Sequence, residues 1–270
     1  MNNGVKSALK WIIPANLRPR LKLAWRKIRH FGFAFQCPFC HARLRGLLPF
    51  GATFPVLKEK RVVGAGYRRN AICPVCRSWD RERLLYLYLL HESDLFSKPH
   101  RVLHLAPESQ LEKILRRNPN LAYVTADLLA PNVMVRMDVT RIPLPDASFD
   151  VVLCNHVLPQ VPEDQKAMAE LFRVMKPGGW AILQVAKSQT LDETIEDLSI
   201  ATGQGREQAF GEKDSFRIYG RDYNARLARA GFRVEEFSWL DKPEMFGGRE
   251  NRFSLIQEER IHVARKPRAV

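Results

Sequence analysis

Two segments of the chain decide its fold, FDVVLCNHVL at residues 149–158 and LFRVMKPGGW at residues 171–180. The first begins with a strongly apolar run, which is typical of a central strand buried on both faces of a parallel sheet. Between the two segments, residues 163–175 place Ala167, Leu171 and Val174 on one face, at helical spacing. The Pro-Gly-Gly triplet that follows predicts a sharp stop before the next strand. A strand, a helix and another strand in this order predict an α/β fold.

The flanking sequence continues the alternation of strands and helices. Further strands are predicted at 101–106, 122–126, 133–137, 180–186, 232–239 and 261–265, and further helices at 81–95, 110–117 and 223–230. This alternation predicts a mostly parallel sheet with helices on both faces, within a domain that spans residues 99–270. Ligands of such sheets bind at the carboxyl ends of the strands. The polar segment 187–220 interrupts the repeat, and we interpret it as a lid or substrate insertion over that edge.

Positive charge is concentrated at the start of the chain. The formal net charge is +14, and eleven Lys and Arg precede the first acidic residue, Glu59. From Arg101 to the end, 24 basic residues balance 24 acidic ones, so the whole excess lies in the first hundred residues. Such asymmetry predicts a basic arm that meets an anionic partner, such as phospholipid headgroups, an acidic glycan, a nucleotide-sugar or RNA. A solubilising tail is the simpler alternative.

Residues 1–35 form this basic, aromatic-rich arm, in which residues 19–30 have the spacing of an amphipathic helix. Such a helix could lie on an anionic membrane surface, or it could dock on the protein's own core. The chain has no run of about 18 apolar residues, and its first apolar stretch ends at Pro14, which predicts neither a membrane span nor a secretory signal. We therefore expect a cytoplasmic protein, with the arm as a peripheral contact at the inner face of the membrane.

Two CPxC pairs follow the arm, and their four thiols belong to Cys37, Cys40, Cys73 and Cys76. Each pair can grip one ion from a tight turn, and four thiolates around Zn²⁺ form a closed structural site. Residues 36–98 are therefore predicted to be a zinc module with a linking helix. A redox dithiol and an iron–sulfur cluster are the alternatives, and His41 could replace one thiolate.

The two opening segments, at this spacing, resemble the fourth strand and the LKPGG turn of class I S-adenosylmethionine-dependent methyltransferases of the type 11-like group. Together with the paired CPxC knuckles, the HLAPE stretch at 104–108 resembles a narrower bacterial group associated with surface-polysaccharide biosynthesis. The resemblance covers nearly all of residues 37–266. It implies a Rossmann-like domain with a mostly parallel seven-stranded sheet, a small N-terminal four-Cys zinc module, S-adenosylmethionine as cofactor and structural zinc.

The resemblance also implies a cofactor site, which consists of His104, Ala106, Glu108, Asp127, Asp138, Val139 and Asn155. The HLAPE stretch takes the place of the glycine-rich loop without its glycines, and Glu108 would bind the cofactor's amino group. Asp127 would bind the ribose hydroxyls, because one carboxylate offers two acceptors to two vicinal donors. Asp138 would bind the adenine amine, with Val139 against the ring. Each acidic residue could instead cap a helix or a turn.

His156 is the predicted catalytic residue, either as a general base or as a neutral wall residue of the site. Many relatives read HVLEHV where this chain has Pro159 and Gln160 in the last part of the motif. This chain therefore lacks the Glu-His pair. Its absence argues against an active-site metal and leaves room for altered substrate choice or weak activity. Tyr219, Arg221 and Tyr223 follow the insertion and are expected to bind an acidic acceptor.

Three functions fit the sequence. The first is a methyltransferase that acts on a sugar or lipid-linked glycan, a small-molecule acceptor class suggested by the resemblance. The second is an RNA methyltransferase, because the basic first hundred residues suit phosphate binding. The Asn-Pro-Pro-aromatic motif that binds a base amine is absent from the chain, which weighs against this function. The third is a binding protein that keeps the fold without the chemistry.

Overall fold

The structure, a computed structural model, describes residue 14 and residues 16–268. The N-terminal part contains helix α1 (Arg18–Arg29), strands β1 (Phe35–Gln36), β2 (Arg43–Leu44) and β3 (Leu48–Phe50), helix α2 (Pro55–Glu59), and strands β4 (Val62–Val63) and β5 (Arg68–Ile72). β1 pairs with β2 and β3 pairs with β5, both antiparallel. Among the described helices, none is long and apolar enough to cross a bilayer. We refer to residues 35–79 as the module.

The rest of the chain forms a larger sheet domain. Its strands are β6 (His100–Leu105), β7 (Leu121–Asp127), β8 (Val135–Arg136), β9 (Phe149–Cys154), β10 (Met175–Ile182), β14 (Arg233–Phe237) and β15 (Ile261–Arg265). They lie in the order β14-β15-β10-β9-β6-β7-β8, with β15 antiparallel to both neighbours and the other pairs parallel. The predicted Rossmann-like, mostly parallel seven-stranded sheet is confirmed.

Helices and short strands surround this sheet. The helices are α3 (Asp80–His91), α4 (Ser109–Leu115), α5 (Asp164–Val174), α6 (Gly203–Phe210) and α7 (Tyr223–Arg229), and the insertion adds strands β11 (Lys187–Ser188), β12 (Ile195–Glu196) and β13 (Arg217–Ile218). Most elements differ from their predicted bounds by a few residues. The insertion and the segment between the Cys pairs contain strands of only two to five residues, too short to produce a periodicity in the sequence.

Alternate residues of the central strand β9 face two apolar layers. Val151 and Leu153 pack with the leucines of α3, whereas Val152 and Cys154 pack with α5 on the opposite face. This is the period of two expected of a strand that is buried on both sides. Burial raises the pKa of the Cys154 thiol to about 12, so this cysteine is a packing residue without thiolate character.

The Pro-Gly-Gly triplet lies within a strand, so the predicted sharp stop is wrong. Helix α5 ends at Val174, β10 begins at the next residue, and its register with β9 shifts between Met175 and Trp180. Glycine permits this irregularity because a Cβ on Gly179 would lie 2.8 Å from the carbonyl oxygen of Asp150. β10 ends at Ile182, four residues before its predicted end.

The module is joined to the sheet domain through α3, through a strand pair and through packing against the insertion. Helix α3 packs its leucines on the sheet, and its Glu82 accepts hydrogen bonds from the amides of Gln110 and Leu111 at the start of α4. β4 pairs antiparallel with β11 at the start of the insertion. Gly211, at φ +79°, packs its backbone against Leu57 of α2. The insertion therefore contacts the module as well as the sheet.

Candidate functional site

The carboxyl ends of β6, β7 and β8 open into a cleft of about 480 Å³, here called the strand-end cleft. Its walls include Ala106, Asp127, Asp138 and Val139, four of the predicted site residues. A volume of this size is typical of a site for a small organic cofactor. The parallel strands place these residues at one edge of the sheet although they are distant in the sequence.

Asp127, the last residue of β7, uses one carboxylate oxygen to hold a turn. Its Oδ1 accepts hydrogen bonds from the amides of Leu129 at 2.7 Å and Ala130 at 2.8 Å. Its Oδ2 has no hydrogen-bond partner among the described residues. The residue is therefore a turn residue, and it also has a carboxylate oxygen available to a ligand in the cleft.

Asp138 and Val139 follow β8 on the same side of the cleft. Asp138 is exposed, and its Oδ1 accepts hydrogen bonds from the amide and the hydroxyl of Thr140, both at 2.8 Å. Val139 is buried against the core. This turn fixes the position of the Asp138 carboxylate at the mouth of the cleft, next to an apolar side chain.

The loop after β6 differs from a glycine-rich loop in residue type but adopts a similar backbone conformation at one position. Ala106 has φ +45°, in the left-handed region that glycine adopts most readily. His104 is fully buried, and its ring nitrogens lie 2.7 Å from Glu108 Oε2 and 2.8 Å from Tyr123 Oη. His104 therefore positions Glu108 and does not line the strand-end cleft. No local pattern in the sequence indicated the contribution of Tyr123.

A small polar void lies beside the end of β9, between Glu108, Asn155, His156, Glu259 and Arg81. Its volume is about 10 Å³, enough for one water-sized group. Four buried polar atoms at this place have no hydrogen-bond partner within the described chain, namely Asn155 Nδ2, Asn155 Oδ1, His156 Nε2 and Glu259 Oε2. Native proteins rarely leave such groups unpaired, so we expect a water molecule or one polar group of a ligand to occupy the void.

His156 is held in a conformation that few residues adopt. Its φ is +57°, and its amide donates to the carbonyl of Gln184, 2.7 Å away and two residues after the end of β10. Burial, followed by the positive charges of Arg81 and Arg68, lowers the pKa of His156 well below its usual value. The imidazole is therefore neutral at neutral pH, and it keeps an unpaired ring nitrogen.

His156 also lines a second cleft of about 330 Å³ between the module and the sheet domain, here called the module cleft. From the module, its walls include Phe50, Phe54, Gly64, Arg68 and Trp79, and the sheet domain contributes Arg81, Pro159, Ala186, Phe210 and Lys213. The Arg81 guanidinium lies over the Trp79 ring, 5.0 Å from its centroid. Sequence reasoning missed this wall because its residues are brought together only by tertiary packing.

The expectation that Tyr219, Arg221 and Tyr223 bind the acceptor is wrong for both tyrosines. Tyr219 and Tyr223 are fully buried, where their hydroxyls donate to Asp164 at 2.7 Å and to the carbonyl of Leu183 at 2.8 Å. These tyrosines stabilise the core under α7 through apolar rings and satisfied hydroxyls. Arg221 lies on the surface and pairs with Asp192, 2.7 Å away.

The four module cysteines form one cluster, with all sulfur atoms within 4.8 Å of one another. Sγ of Cys37 lies 3.5 Å from that of Cys76, and Sγ of Cys40 lies 3.8 Å from that of Cys73. These separations are too long for disulfide bonds. They are close to the distance between two sulfur atoms in a tetrahedral site with Zn–S bonds of about 2.3 Å. The donor set therefore fits a tetrahedral metal ion.

The two CPxC turns repeat one backbone geometry. The amide of His41 donates to the Cys37 carbonyl and that of Arg77 donates to the Cys73 carbonyl, both at 2.9 Å, and both donors have positive φ. Ser78 adds a contact that the sequence did not predict, because its hydroxyl lies 3.3 Å from Cys37 Sγ. Its distance to Cys76 Sγ is 3.2 Å. Such hydrogen bonds orient thiolate ligands around a metal.

Comparison with known proteins is informative for the sheet domain. Residues 100–183 match a family described as "Methyltransferase domain". A demethylmenaquinone methyltransferase of Geobacillus kaustophilus is 26% identical over 130 residues, which are 46% of this chain and 47% of the relative. One from Renibacterium salmoninarum is 38% identical over 64 residues, 24% of this chain and 22% of the relative. The chain thus spans about half or less of the length of these curated relatives.

Solved structures similar to this chain include two methyltransferases. One is a 1,6-didemethyltoxoflavin-N1-methyltransferase from Burkholderia thailandensis, with bound 1,6-didemethyltoxoflavin and S-adenosylhomocysteine. It is 13% identical to this chain, and the TM-score is 0.41. The similarity covers 68% of this chain and 76% of that chain. The other is an S-adenosylmethionine-dependent methyltransferase from Archaeoglobus fulgidus, with 12% identity, 68% and 93% coverage, and a TM-score of 0.44. By its family match, the chain contains a methyltransferase domain at residues 100–183, within the seven-stranded sheet.

Proposed function

We propose that the protein transfers a methyl group from S-adenosylmethionine to an acceptor bound in the module cleft. The observation that carries this proposal is the position of His156. His156 lines both the small polar void and the module cleft, and its buried Nε2 has no hydrogen-bond partner among the described residues. A cofactor on one side and an acceptor on the other would meet at this residue, as an in-line transfer requires.

The residues around the strand-end cleft fit the adenosyl part of the cofactor. Asp127 Oδ2 is available to the ribose hydroxyls, and the Asp138 carboxylate is available to the adenine amine beside Val139. The left-handed backbone at Ala106 allows the close approach that glycine provides elsewhere. When bound, the cofactor supplies an activated methyl group and its own leaving group.

The polar void has room for one water-sized group, and its acceptors fit the ammonium group of an amino acid. Glu108 and Glu259 could accept hydrogen bonds from an ammonium group, with Asn155 Oδ1 as a further acceptor. The Arg81 guanidinium makes no ion pair with a described residue and could pair with a carboxylate. An ammonium group here would pair with Asn155 Oδ1 and Glu259 Oε2, which are otherwise unpaired. This proposal keeps the roles that the sequence predicted for Glu108 and Asn155. It adds Glu259 and Arg81 to the residues that would bind this end of the cofactor.

The chemistry then requires few protein groups. An acceptor oxygen or nitrogen that received the methyl group would have to lose one proton. The neutral imidazole of His156 can accept that proton at Nε2. Burial of the site also keeps water from competing for the methyl group.

The lining of the module cleft favours an acceptor that combines a ring with an anionic group. Phe50 and Trp79 present aromatic surface, with ring centroids 4.1 Å apart, while Arg81 and Lys213 provide positive charge. Guanidinium over an aromatic ring is a common arrangement for phosphate or carboxylate recognition. We infer a sugar or lipid-linked glycan intermediate of surface-polysaccharide biosynthesis as the acceptor.

We further propose that the four-cysteine cluster holds one structural Zn²⁺. Four thiolates leave no open coordination position, so the metal would take no part in methyl transfer. It would instead fix the turns that bring Trp79 and Arg81 to the cleft, since Cys76 precedes them by three and five residues.

Transfer of a labelled methyl group tests the proposal. The purified protein is first titrated with S-adenosylmethionine in a calorimeter, and then incubated with labelled cofactor and separate pools of sugar nucleotides, lipid extract and rRNA. Label should enter a sugar-nucleotide or lipid fraction. His156→Asn should reduce the rate by about 10²- to 10⁴-fold, the usual contribution of a general base, with cofactor affinity retained.

The surface variant His91→Asn serves as the matched control and should behave as wild type. Label in rRNA alone would favour the RNA alternative. Cofactor binding without transfer to any pool would favour a binding protein, and no cofactor binding at all would contradict the proposal.

A further inference from the structure

We propose that helix α1 and the two phenylalanines that follow it, Phe31 and Phe33, form a docking surface for an anionic lipid bilayer. This inference concerns where the protein works and is independent of methyl transfer. The surface comprises Arg18–Arg29, Phe31 and Phe33, with Arg43 and Arg45 of the module beside it. We call it the docking surface.

The first observation is an apolar face that no described residue covers. Leu17, Leu21, Ala24, Trp25 and Ile28 recur at helical spacing and occupy an arc of about 100°. Helix α1 buries none of its residues, and in this structure 77% of Ile28 and 57% of Trp25 are exposed. Among the described residues, none packs over this face. A contiguous apolar face of this kind indicates a partner.

The second observation is the charge that surrounds the face. By helical spacing, Arg20 and Lys27 lie along one edge of the apolar arc, and Arg29 lies along the other. The helix contains no acidic residue. The Arg29 guanidinium lies 5.0 Å from the centroid of the Trp25 ring, so cation and aromatic ring share one edge. Cations at the edges of an apolar stripe can reach headgroup phosphates while the stripe enters the acyl region.

The third observation extends the surface into the folded module. Phe31 and Phe33 are exposed, and their rings meet edge to face at 5.2 Å. Arg43 lies 5.7 Å from the Phe33 ring. The amide of Arg45 donates to the carbonyl of His30 at 3.0 Å, which ties the end of α1 to β2. The docking surface is therefore attached to the module and is more than an isolated arm.

These features favour a bilayer over RNA. RNA phosphates would pair with the cations but leave the apolar face in water. The surface of an anionic bilayer can bind the cations and also bury the apolar face. Aromatic side chains at headgroup depth anchor interfacial segments, and Trp25, Phe31 and Phe33 are placed to do so. A protein docked on the bilayer could reach acceptors that include lipid-linked glycans. The docking proposal does not depend on this choice of acceptor.

Sedimentation with lipid vesicles tests this inference on the full chain. The protein should sediment with vesicles of phosphatidylglycerol and phosphatidylcholine, and much less with phosphatidylcholine alone. The paired substitution Trp25→Ser and Ile28→Ser should reduce vesicle affinity by at least about tenfold, because it removes the centre of the apolar face. Leu240→Ser, which changes an exposed leucine elsewhere, should leave affinity unchanged.

A charge variant, Arg20→Gln with Lys27→Gln, should weaken binding to the anionic vesicles and reduce its salt dependence. The inference is overturned if wild-type protein sediments with neither vesicle, or if the Trp25 and Ile28 variant binds as wild type does. Binding of rRNA fragments that depends on the cations but not on the apolar face would assign the surface to RNA. The affinity for S-adenosylmethionine, measured on the same variants, should not change, which separates this outcome from a failure of the methyl-transfer proposal.

Discussion

The module and the sheet domain are stabilised in different ways. The sheet domain has an extensive apolar layer on each face of seven strands. The module's own buried core consists of Cys37, Leu44, Leu47, Cys73 and Val75, and two of these five residues belong to the proposed metal site. Small units with so few apolar residues need metal ions or cross-links to fold.

This difference divides the site between two kinds of support. The strand-end cleft is built by the sheet, whose apolar core fixes the ends of β6, β7 and β8. The module cleft depends on Phe50 at the end of β3, Trp79 before α3 and Arg81 in the first turn of α3, and these are supported by the cysteine cluster and by α3. Loss of metal should therefore affect acceptor binding much more than cofactor binding.

The largest expected effect comes from Cys73→Ser. Structural zinc contributes about 10–16 kcal/mol to the folding of small metal modules, so loss of one ligand should unfold the module and release the ion. The sheet should remain folded and bind S-adenosylmethionine. Elemental analysis should find one zinc per wild-type chain and none in the variant, and methyl transfer should be lost.

Cys154→Ala, which changes a thiol in the sheet core, should keep its zinc and serves as the matched control. The metal assignment would be contradicted if purified wild-type protein contained no zinc, or if its two CPxC pairs were disulfide-bonded.

The second effect concerns Arg83, a fully buried residue of α3 that joins the two regions. Its guanidinium donates to the carbonyls of Asn70, Ala71, Ser78, Phe253 and Ser254, at 2.8 to 3.3 Å. Arg83→Met would leave these buried acceptors unpaired and should lower the free energy of unfolding by about 3–5 kcal/mol. Chemical denaturation measures this loss, and Arg83→Lys should lose less. A variant as stable as wild type would show that the two regions are held together elsewhere.

The third effect is a pH dependence at Glu259. Burial, reinforced by Asp80 and opposed by Arg81, Gln184 and Arg68, raises its pKa from 4.5 to about 7. Because the folded-state pKa is the higher one, this group's contribution to stability is present below pH 4.5 and is lost as pH rises through about 7. The loss is at most about 3 kcal/mol.

Glu259→Gln should remove this dependence, because the amide has a similar shape and does not ionise. The Tm of the variant should match that of wild type near pH 5 and exceed it near pH 8, with both values measured in the absence of cofactor. Parallel Tm profiles for the two proteins over this range would contradict the assignment.

The sequence predicted the sheet and the strand-end residues better than the second cleft. A long apolar run and acidic residues after short strands are local signals, and they located β9, Asp127 and Asp138. Glu259 and Arg81 carry no local signal, since they meet His156 only after residues far apart in the chain have packed together. The prediction for Tyr219 and Tyr223 failed because a tyrosine near an expected site can equally serve the core.

The most direct test of the account is the affinity for S-adenosylmethionine of wild-type protein and of Asp127→Ala, measured by calorimetry. A charged hydrogen bond contributes about 1.5–3 kcal/mol, so we predict a loss of affinity of roughly 10- to 150-fold. Asp192→Ala, which changes an exposed aspartate of the insertion, should bind as wild type does. A folded Asp127→Ala variant with unchanged affinity, or wild-type protein that does not bind the cofactor, would contradict the placement of the cofactor in the strand-end cleft.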